Sequence, residues 1–308
     1  MHLSRDDIAT LKELRANFLE TNHRVSDYWT DQRRLDLYDR FFAERIRWKW
    51  QSVLNEVKTR GYVPPKDCNL LDWGCGSGVA ADSFLQFWSP EHFRSVSLFD
   101  RSRMAETYTA QKLSTQHGIP TEKWRGNIKS PFILLISHTL GEIGRKEQAD
   151  ILSLILQSES CFLIEPGTYF HSRRITEMRE AIRSKMDILA PCTHQERCGL
   201  HCQSNERHWC HFFASPPPTA FQQADWSAFG RALGIDLRSL PVSFLVAQRK
   251  STSRSAGNAV IIGRPRISKR HWTAQLCSSS GVSEVKEHCD KATYQSIKNT
   301  FILQLHNH

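Results

Sequence analysis

Nowhere in the 308 residues is there an apolar run of the roughly 18 residues that a membrane-crossing helix needs. The longest candidate, Phe132 to Leu140, is interrupted by Ser137, His138 and Thr139. The first residues, Met1-His2-Leu3-Ser4-Arg5-Asp6-Asp7, lack a basic stretch followed by an apolar one and carry early acids. Neither a secretion signal nor a transit peptide is expected, and the chain reads as cytoplasmic ahead of mitochondrial. Without a secretory signal, nine cysteines argue against a disulfide framework and toward thiols that serve a metal or pack in a core. There is no internal repeat, and no Cys-x-x-Cys pair of the kind that marks a zinc ribbon.

What is present is enough for a core. Hydrophobic residues make up 40% of the chain and aromatics 10%, which suits one large domain with a small appendage. The net charge of +9 favours a polyanionic partner, RNA being the commonest for a basic soluble protein; the plainer reading is a merely basic enzyme.

The hydrophobic pattern divides the chain into three regions. Residues 1–66 read as helical, with helices at Ile8 to Leu19 and, from three- and four-residue apolar spacing, between Tyr28 and Lys58. Pro64-Pro65 ends that run. Residues 67–248 alternate strands (Asn69 to Trp73, Ser95 to Phe99, Ile133 to Ile136, Cys161 to Ile164, Val242 to Ala247) with helices (Val79 to Trp88, Met104 to His117, Glu142 to Gln157, Ser172 to Ile188, Phe221 to Leu233). That alternation predicts an α/β fold with a doubly wound, mainly parallel sheet. Ala190 to Pro218 has neither period and reads as a long Cys-rich loop needing a further source of order, which bound metal would supply. Residues 249–308 open with a polar, basic linker and read as a small β appendage, with strands at Asn258 to Gly263, Trp272 to Cys277 and Val282 to Glu287.

Asp72-x-Gly74-x-Gly76-x-Gly78 lies between a predicted strand and a predicted helix, where glycines let the backbone turn sharply and approach a ligand. Asp100 ends the next strand, where an acid can accept hydrogen bonds from a ribose. An acid followed by alternating glycines resembles the first motif of class I S-adenosylmethionine-dependent methyltransferases, over about Asn69 to Val246. The resemblance implies that Asp72, Gly74, Gly76 and Gly78 hold the methionine part of the cofactor, Asp100 the ribose, and Asn127, after the third strand, the adenine. The Asn/Asp-Pro-Pro-Tyr/Phe tetrad used for amino-group methylation is absent. In its place stands Ser137-His138-Thr139-Leu140-Gly141-Glu142, whose His138 reads as a base or as a structural strand-end residue. The residues support cofactor binding better than catalysis, so no catalytic residue is assigned.

Cys192, Cys198, Cys210 and the distant Cys277 can make a four-sulfur site, with His194, His201, Cys202, His208 and His211 as competing ligands. Irregular spacing with one remote ligand favours an iron–sulfur cluster, and a mixed Cys/His zinc site stays open.

Ser137-His138-Thr139-Leu140-Gly141-Glu142, Leu163-Ile164-Glu165-Pro166-Gly167-Thr168, Ala190-Pro191-Cys192-Thr193-His194 and Trp209-Cys210-His211-Phe212 occur in the order of blocks in one family. From Tyr28 to Tyr294 the chain resembles the methyltransferase-like protein of the mitochondrial small ribosomal subunit and its bacterial relatives. The resemblance implies a 4Fe–4S cluster on Cys192, Cys198, Cys210 and Cys277, and association with the small ribosomal subunit or its rRNA. No membrane partner is expected, and the chain reads as a monomer off the ribosome. Thr193 and Gly199 replace prolines frequent in that family, and Cys202 is an extra thiol. A non-catalytic assembly or RNA-binding module on the same fold, and a zinc-containing methyltransferase of another substrate, are the alternatives.

Overall fold

A computed structural model describes residues 3–19, 29–250, 259–268, 270–288, 290, 301, 302, 304 and 305. Of the basic residues Arg249, Lys250, Arg254, Arg264, Arg266, Lys269 and Arg270 that the sequence places after the large domain, Arg254 and Lys269 lie outside the described residues, as does Cys289.

The chain opens with helices α1 (Arg5–Leu19), α2 (Gln32–Tyr38) and α3 (Glu44–Thr59). Asp31 caps α2 by accepting the Arg34 backbone N–H at 2.9 Å. Between α2 and α3 the helix widens into a π turn over Asp39–Ala43, so the two run on as one interrupted rod. On α3, Ile46, Trp50, Val53, Leu54 and Val57 recur at helical spacing and pack into the main core.

The doubly wound region follows: β1 (Cys68–Trp73), α4 (Val79–Trp88), β2 (Phe93–Phe99), α5 (Arg103–His117), β3 (Thr121–Lys123), β4 (Phe132–Ser137), α6 (Arg145–Gln157), β5 (Ser160–Pro166), α7 (Tyr169–Ile182), β6 (Met186–Ala190), β7 (Phe212–Ala214), α8 (Ala224–Leu233) and β8 (Leu240–Arg249). The strands run in the order β3-β2-β1-β4-β5-β8-β6, with β7 also paired to β8. The first five are parallel, and β8 is antiparallel to β5, β6 and β7. β1 and β4 are buried along their whole length, as strands must be when helices cover both faces. A parallel sheet with one reversed strand set between its fifth and last strands is the class I methyltransferase arrangement. α3 and α4 are tied by Arg47 and Asp82 at 2.5 Å, and His117 of α5 meets the same carboxylate at 2.8 Å.

A second sheet, β11 (Gly281–His288)-β10 (His271–Ser278)-β9 (Ala259–Ile267)-β12 (Gln304–Leu305), is antiparallel. Its Val260, Ile262 and Cys277 join the main core, so the appendage is packed onto the larger sheet.

Two expectations are corrected. The helix foreseen over Ser172 to Ile188 stops at Ile182, and residues 186–190 form strand β6. A segment as short as Met186–Ala190 does not separate helix from strand by period, and here pairing with β8 decides it. The Gln195 side chain also bonds both the N–H and the C=O of Ile188 at 3.0 Å, as a further strand would. The segment from Ala190 to Pro218 is not devoid of structure: short helical turns lie at Gly199–His201 and Gln203–Asn205, and β7 is part of it.

Candidate functional site

The glycine turn follows β1, and its three glycines do different work. A Cβ on Gly74 would strike the Thr139 side chain, and one on Gly78 would lie 2.6 Å from Thr109. Those two glycines permit close packing of β1, β4 and α5. Gly76 (φ 50°) would carry its Cβ into open space. Its N–H donates to Asp100 Oδ2 at 2.9 Å, and its C=O accepts from Thr109 Oγ1 at 2.8 Å. Asp100 Oδ1 takes the Ser102 N–H at 2.9 Å, so the acid at the end of β2 is held rigidly beside the turn.

A cavity of about 210 Å³ opens at the ends of β1, β2 and β4, lined by Gly74, Gly76, Asp100, Trp73, Phe99 and Thr139 among others. Trp29 and Tyr38, from the N-terminal helical region, cover it. Tyr38, His138 and Glu142 also line a neighbouring cavity of about 520 Å³, so the two share a wall. Apolar and aromatic walls, an acid at the end of β2 and open space over one glycine are the chemistry that an adenosyl group would require.

Three residues assigned to the cofactor from sequence are off this lining: Gly78, which packs against Thr109, Asp72 and Asn127. Asp72 is fully buried and absent from the cavity lining; its Oδ2 accepts the Ala81 N–H at 3.1 Å, which anchors the first turn of α4. Burial pushes its carboxyl up to about 7, against that hydrogen bond. Asn127 is exposed and off the lining. Trp29, Tyr38 and His138 line the cavity without having been assigned to the cofactor, and only the aromatic richness of the segment before α3 pointed toward the first two.

The four cysteines converge from separate elements. Cys198, Cys210 and Cys277 belong to one packed region, and Cys192 lies within electrostatic reach of all three. Burial first, and the neighbouring cysteines next, push the thiols of Cys198, Cys210 and Cys277 upward. Cys202 stands apart and exposed, 3.3 Å from Ser204 Oγ. Among the described residues no group of three or more His, Cys, Asp or Glu is arranged to hold a metal ion. A cluster spreads its thiolates more widely than a single ion does, and its iron charge offsets thiolates that otherwise repel one another.

The cysteine loop has a source of order besides metal. Arg179 of α7, fully buried, points Nε at Cys192 Sγ (3.3 Å) and Nη2 at the His194 carbonyl (3.1 Å). Glu180 takes the Cys198 N–H at 3.0 Å, and Arg173 bonds the carbonyls of Leu200, Asn205 and Glu206. Ser172 and Ser243 both donate to the Cys210 carbonyl, at 2.8 and 2.6 Å. His194 is buried with neither ring nitrogen hydrogen-bonded.

Cys277 is brought in by a close approach of backbones. A Cβ on Gly199 would sit 2.7 Å from Gly281 Cα and 2.8 Å from the Val282 nitrogen. Gly199→Ala is therefore expected to push the β10–β11 turn off the cysteine loop and to cost about 1–3 kcal/mol by overpacking. Denaturant unfolding checks the stability. Alkylation of Cys277 should quicken in the variant, and an unchanged rate would show that Gly199 does not set this contact.

A groove of about 430 Å³ separates the cysteine loop from β9–β11. Trp209 and His211 stack on each other along its cysteine-loop side (4.6 Å, 14°), and Arg264 covers the Phe213 ring at 4.0 Å. Arg207, Arg264 and Arg266 line it, the last paired with Glu284 at 2.6 Å.

No curated protein matches the chain significantly. Solved structures resemble it weakly. N-methyltransferase NodS from Bradyrhizobium japonicum WM9, in complex with S-adenosyl-L-homocysteine, is 10% identical over 79% of this chain and 99% of its own, at a TM-score of 0.41. The 23S rRNA methyltransferase ErmE is 11% identical over 67% and 70%, at 0.36. An rRNA methylase from Streptococcus thermophilus is 11% identical over 63% and 94%, at 0.36. Likeness at that level carries nothing about ligand or substrate. The profile of one family, described as mitochondrial small ribosomal subunit Rsm22, matches residues 50–292, from within α3 to just past β11, and the chain belongs to that family.

Proposed function

We propose that this protein binds S-adenosylmethionine in the cavity at the ends of β1, β2 and β4, carries a 4Fe–4S cluster on Cys192, Cys198, Cys210 and Cys277, and acts on the small ribosomal subunit or its rRNA. The observation that carries the reading is one chain in which an open glycine turn faces an anchored acid while four cysteines from distant segments converge. The cofactor supplies an electrophilic methyl group when bound. The protein's own part is to seat the adenosyl group beside Asp100 and Gly76 under Trp29 and Tyr38. Family membership supports the ribosomal partner. A cluster at the cysteine site pins β10 to the loop that α7 organises, and offsets the entropy of closing the chain between Cys210 and Cys277.

A non-catalytic assembly role draws support from the missing amino-methylation tetrad. Both versions require contact with the subunit. The groove beside the cysteine loop, with Arg207 and Arg264 and stacked Trp209 and His211, fits single-stranded RNA. If about six phosphates are neutralised, affinity for small-subunit RNA should fall about 10³-fold between low and moderate salt. Replacing Arg264, Arg266 and Arg270 with Ala should flatten that slope and leave cofactor binding unchanged. Equal sedimentation of wild type and triple variant with small subunits would remove this groove from the account. A wild type that sediments with them at no salt concentration would remove the subunit.

A further inference from the structure

The larger of the two adjoining cavities holds polar groups that the cofactor reading does not use. Lys49 is buried on α3, with Nζ 3.4 Å from His138 Nε2. One turn earlier, Arg45 keeps a buried Nε without a hydrogen-bond partner. Glu165, at the end of β5, spends Oε1 on the N–H groups of Thr139 and Leu140 (2.8 and 3.0 Å), while buried Oε2 has no hydrogen bond and lies 4.0 Å from His171 Nε2. Buried donors and charges left this way cost free energy unless something meets them. Arg45, Lys49, His138 and His171 line a space of about 520 Å³, within the usual range for a small-ligand site, and Glu165 lies behind its wall beside His171.

The rest of the lining narrows the ligand. Arg15 adds a third cation from α1. Tyr38, just before the π turn, and Phe42, within it, line the cavity, and Phe170 is 45% exposed at its edge with Arg174 5.0 Å above its ring. Cations set among aromatic rings suit a phosphate joined to a base. A concave site of this size admits one nucleotide that has left its stack and excludes a duplex. Its wall at Tyr38, His138 and Glu142 is also the wall of the proposed cofactor cavity.

We propose that this second cavity binds one unpaired nucleotide of RNA, its phosphate held by Arg45 and Lys49 and its base among Tyr38, Phe42 and Phe170. The inference rests on the reading of the neighbouring cavity as the cofactor site. Charge on Lys49 gives it a distinctive signature. Burial and the nearby Arg45 push Lys49 down to about 7, against Glu165. Above that pH the amine is neutral, and a bound phosphodiester restores its proton. Binding should therefore take up a proton, and should weaken as pH rises through about 7 to 9. Of the other facing groups, His138 and His171 are held well below this window, the latter at about 4, and Arg45 stays charged at about 10. Glu165, raised to about 7 by burial, also titrates in the window, and Glu142 and Asp236 are further acids on the lining, which makes Lys49→Met the deciding variant.

The test is calorimetric titration of protein saturated with S-adenosylhomocysteine. The probes are ApA, CpC, GpG and UpU, whose single phosphodiester does not titrate near neutrality. Two buffers of different ionisation enthalpy at about pH 8 measure proton uptake. At least one dinucleotide should bind with uptake of a proton. Lys49→Met should abolish the uptake, and Arg45→Met should weaken binding about tenfold or more. Unchanged affinity for S-adenosylhomocysteine shows that both variants are folded. Dinucleotide binding that is the same in wild type and both variants overturns the site. A wild type that binds S-adenosylhomocysteine and no dinucleotide overturns this inference alone, and one that binds neither overturns the cofactor reading with it.

Discussion

Gly76→Arg is expected to abolish binding of S-adenosylhomocysteine while leaving the protein folded. The three glycines of the turn are not equivalent. Ala at position 74 or 78 would collide with Thr139 or Thr109, and the loss would be of packing. A Cβ at 76 meets nothing within 4 Å, and Gly76 lines the cavity, so a long side chain there is expected to occupy cofactor space. The left-handed backbone there adds about 1–2 kcal/mol of strain, which a domain of this size tolerates. Calorimetry on wild type and variant should show loss of affinity of about 100-fold or more, with melting temperatures within several degrees. Affinity within a few-fold of wild type would mean that the cofactor does not lie over Gly76.

Serine at each of Cys192, Cys198, Cys210 and Cys277 should lose iron and sulfide and lower Tm by about 10 °C. Metal–thiolate bonding made only in the folded state adds directly to its stability. The loss should stop short of unfolding the loop, because Arg173, Arg179 and Glu180 bond its backbone and Cys192 independently. Cys202→Ser is the control: that thiol is exposed and should be dispensable. Iron content after anaerobic purification, with the melting temperature of each variant, checks the prediction. Retention of the cluster in Cys210→Ser and its loss in Cys202→Ser would reassign the third ligand.

Periodicity revealed the parallel half of the sheet because short apolar stretches, Leu70-Leu71 in β1 and Phe132 to Ile136 in β4, alternate with longer segments that read as helix. It failed at β6, where Met186 continues the three- and four-residue apolar spacing of Ile175, Met178 and Ile182 and only pairing with β8 makes the segment a strand. β3 and β7, three residues each, are too short to show a period. In the glycine motif, spacing could not separate packing from cradling. Thr109 and Thr139 lie in distant segments, so the distinct part of Gly76 needed the fold. Asp72 was legible as part of the motif, but its bond to the Ala81 N–H was not. Lys49 and Arg179 were invisible for a related reason. Each sits on a helix where a cation reads as a solvated face, and the fold buries both, one beside His138 and the other beside Cys192.

The most direct test of the account is the composition of wild-type protein purified without oxygen. Iron, acid-labile sulfide and zinc would be measured together with the visible absorption spectrum. The convergence of Cys192, Cys198, Cys210 and Cys277 predicts about four iron and four sulfide per chain, with a broad thiolate-to-iron band that bleaches in air. About one zinc per chain, with neither iron nor sulfide, would contradict it.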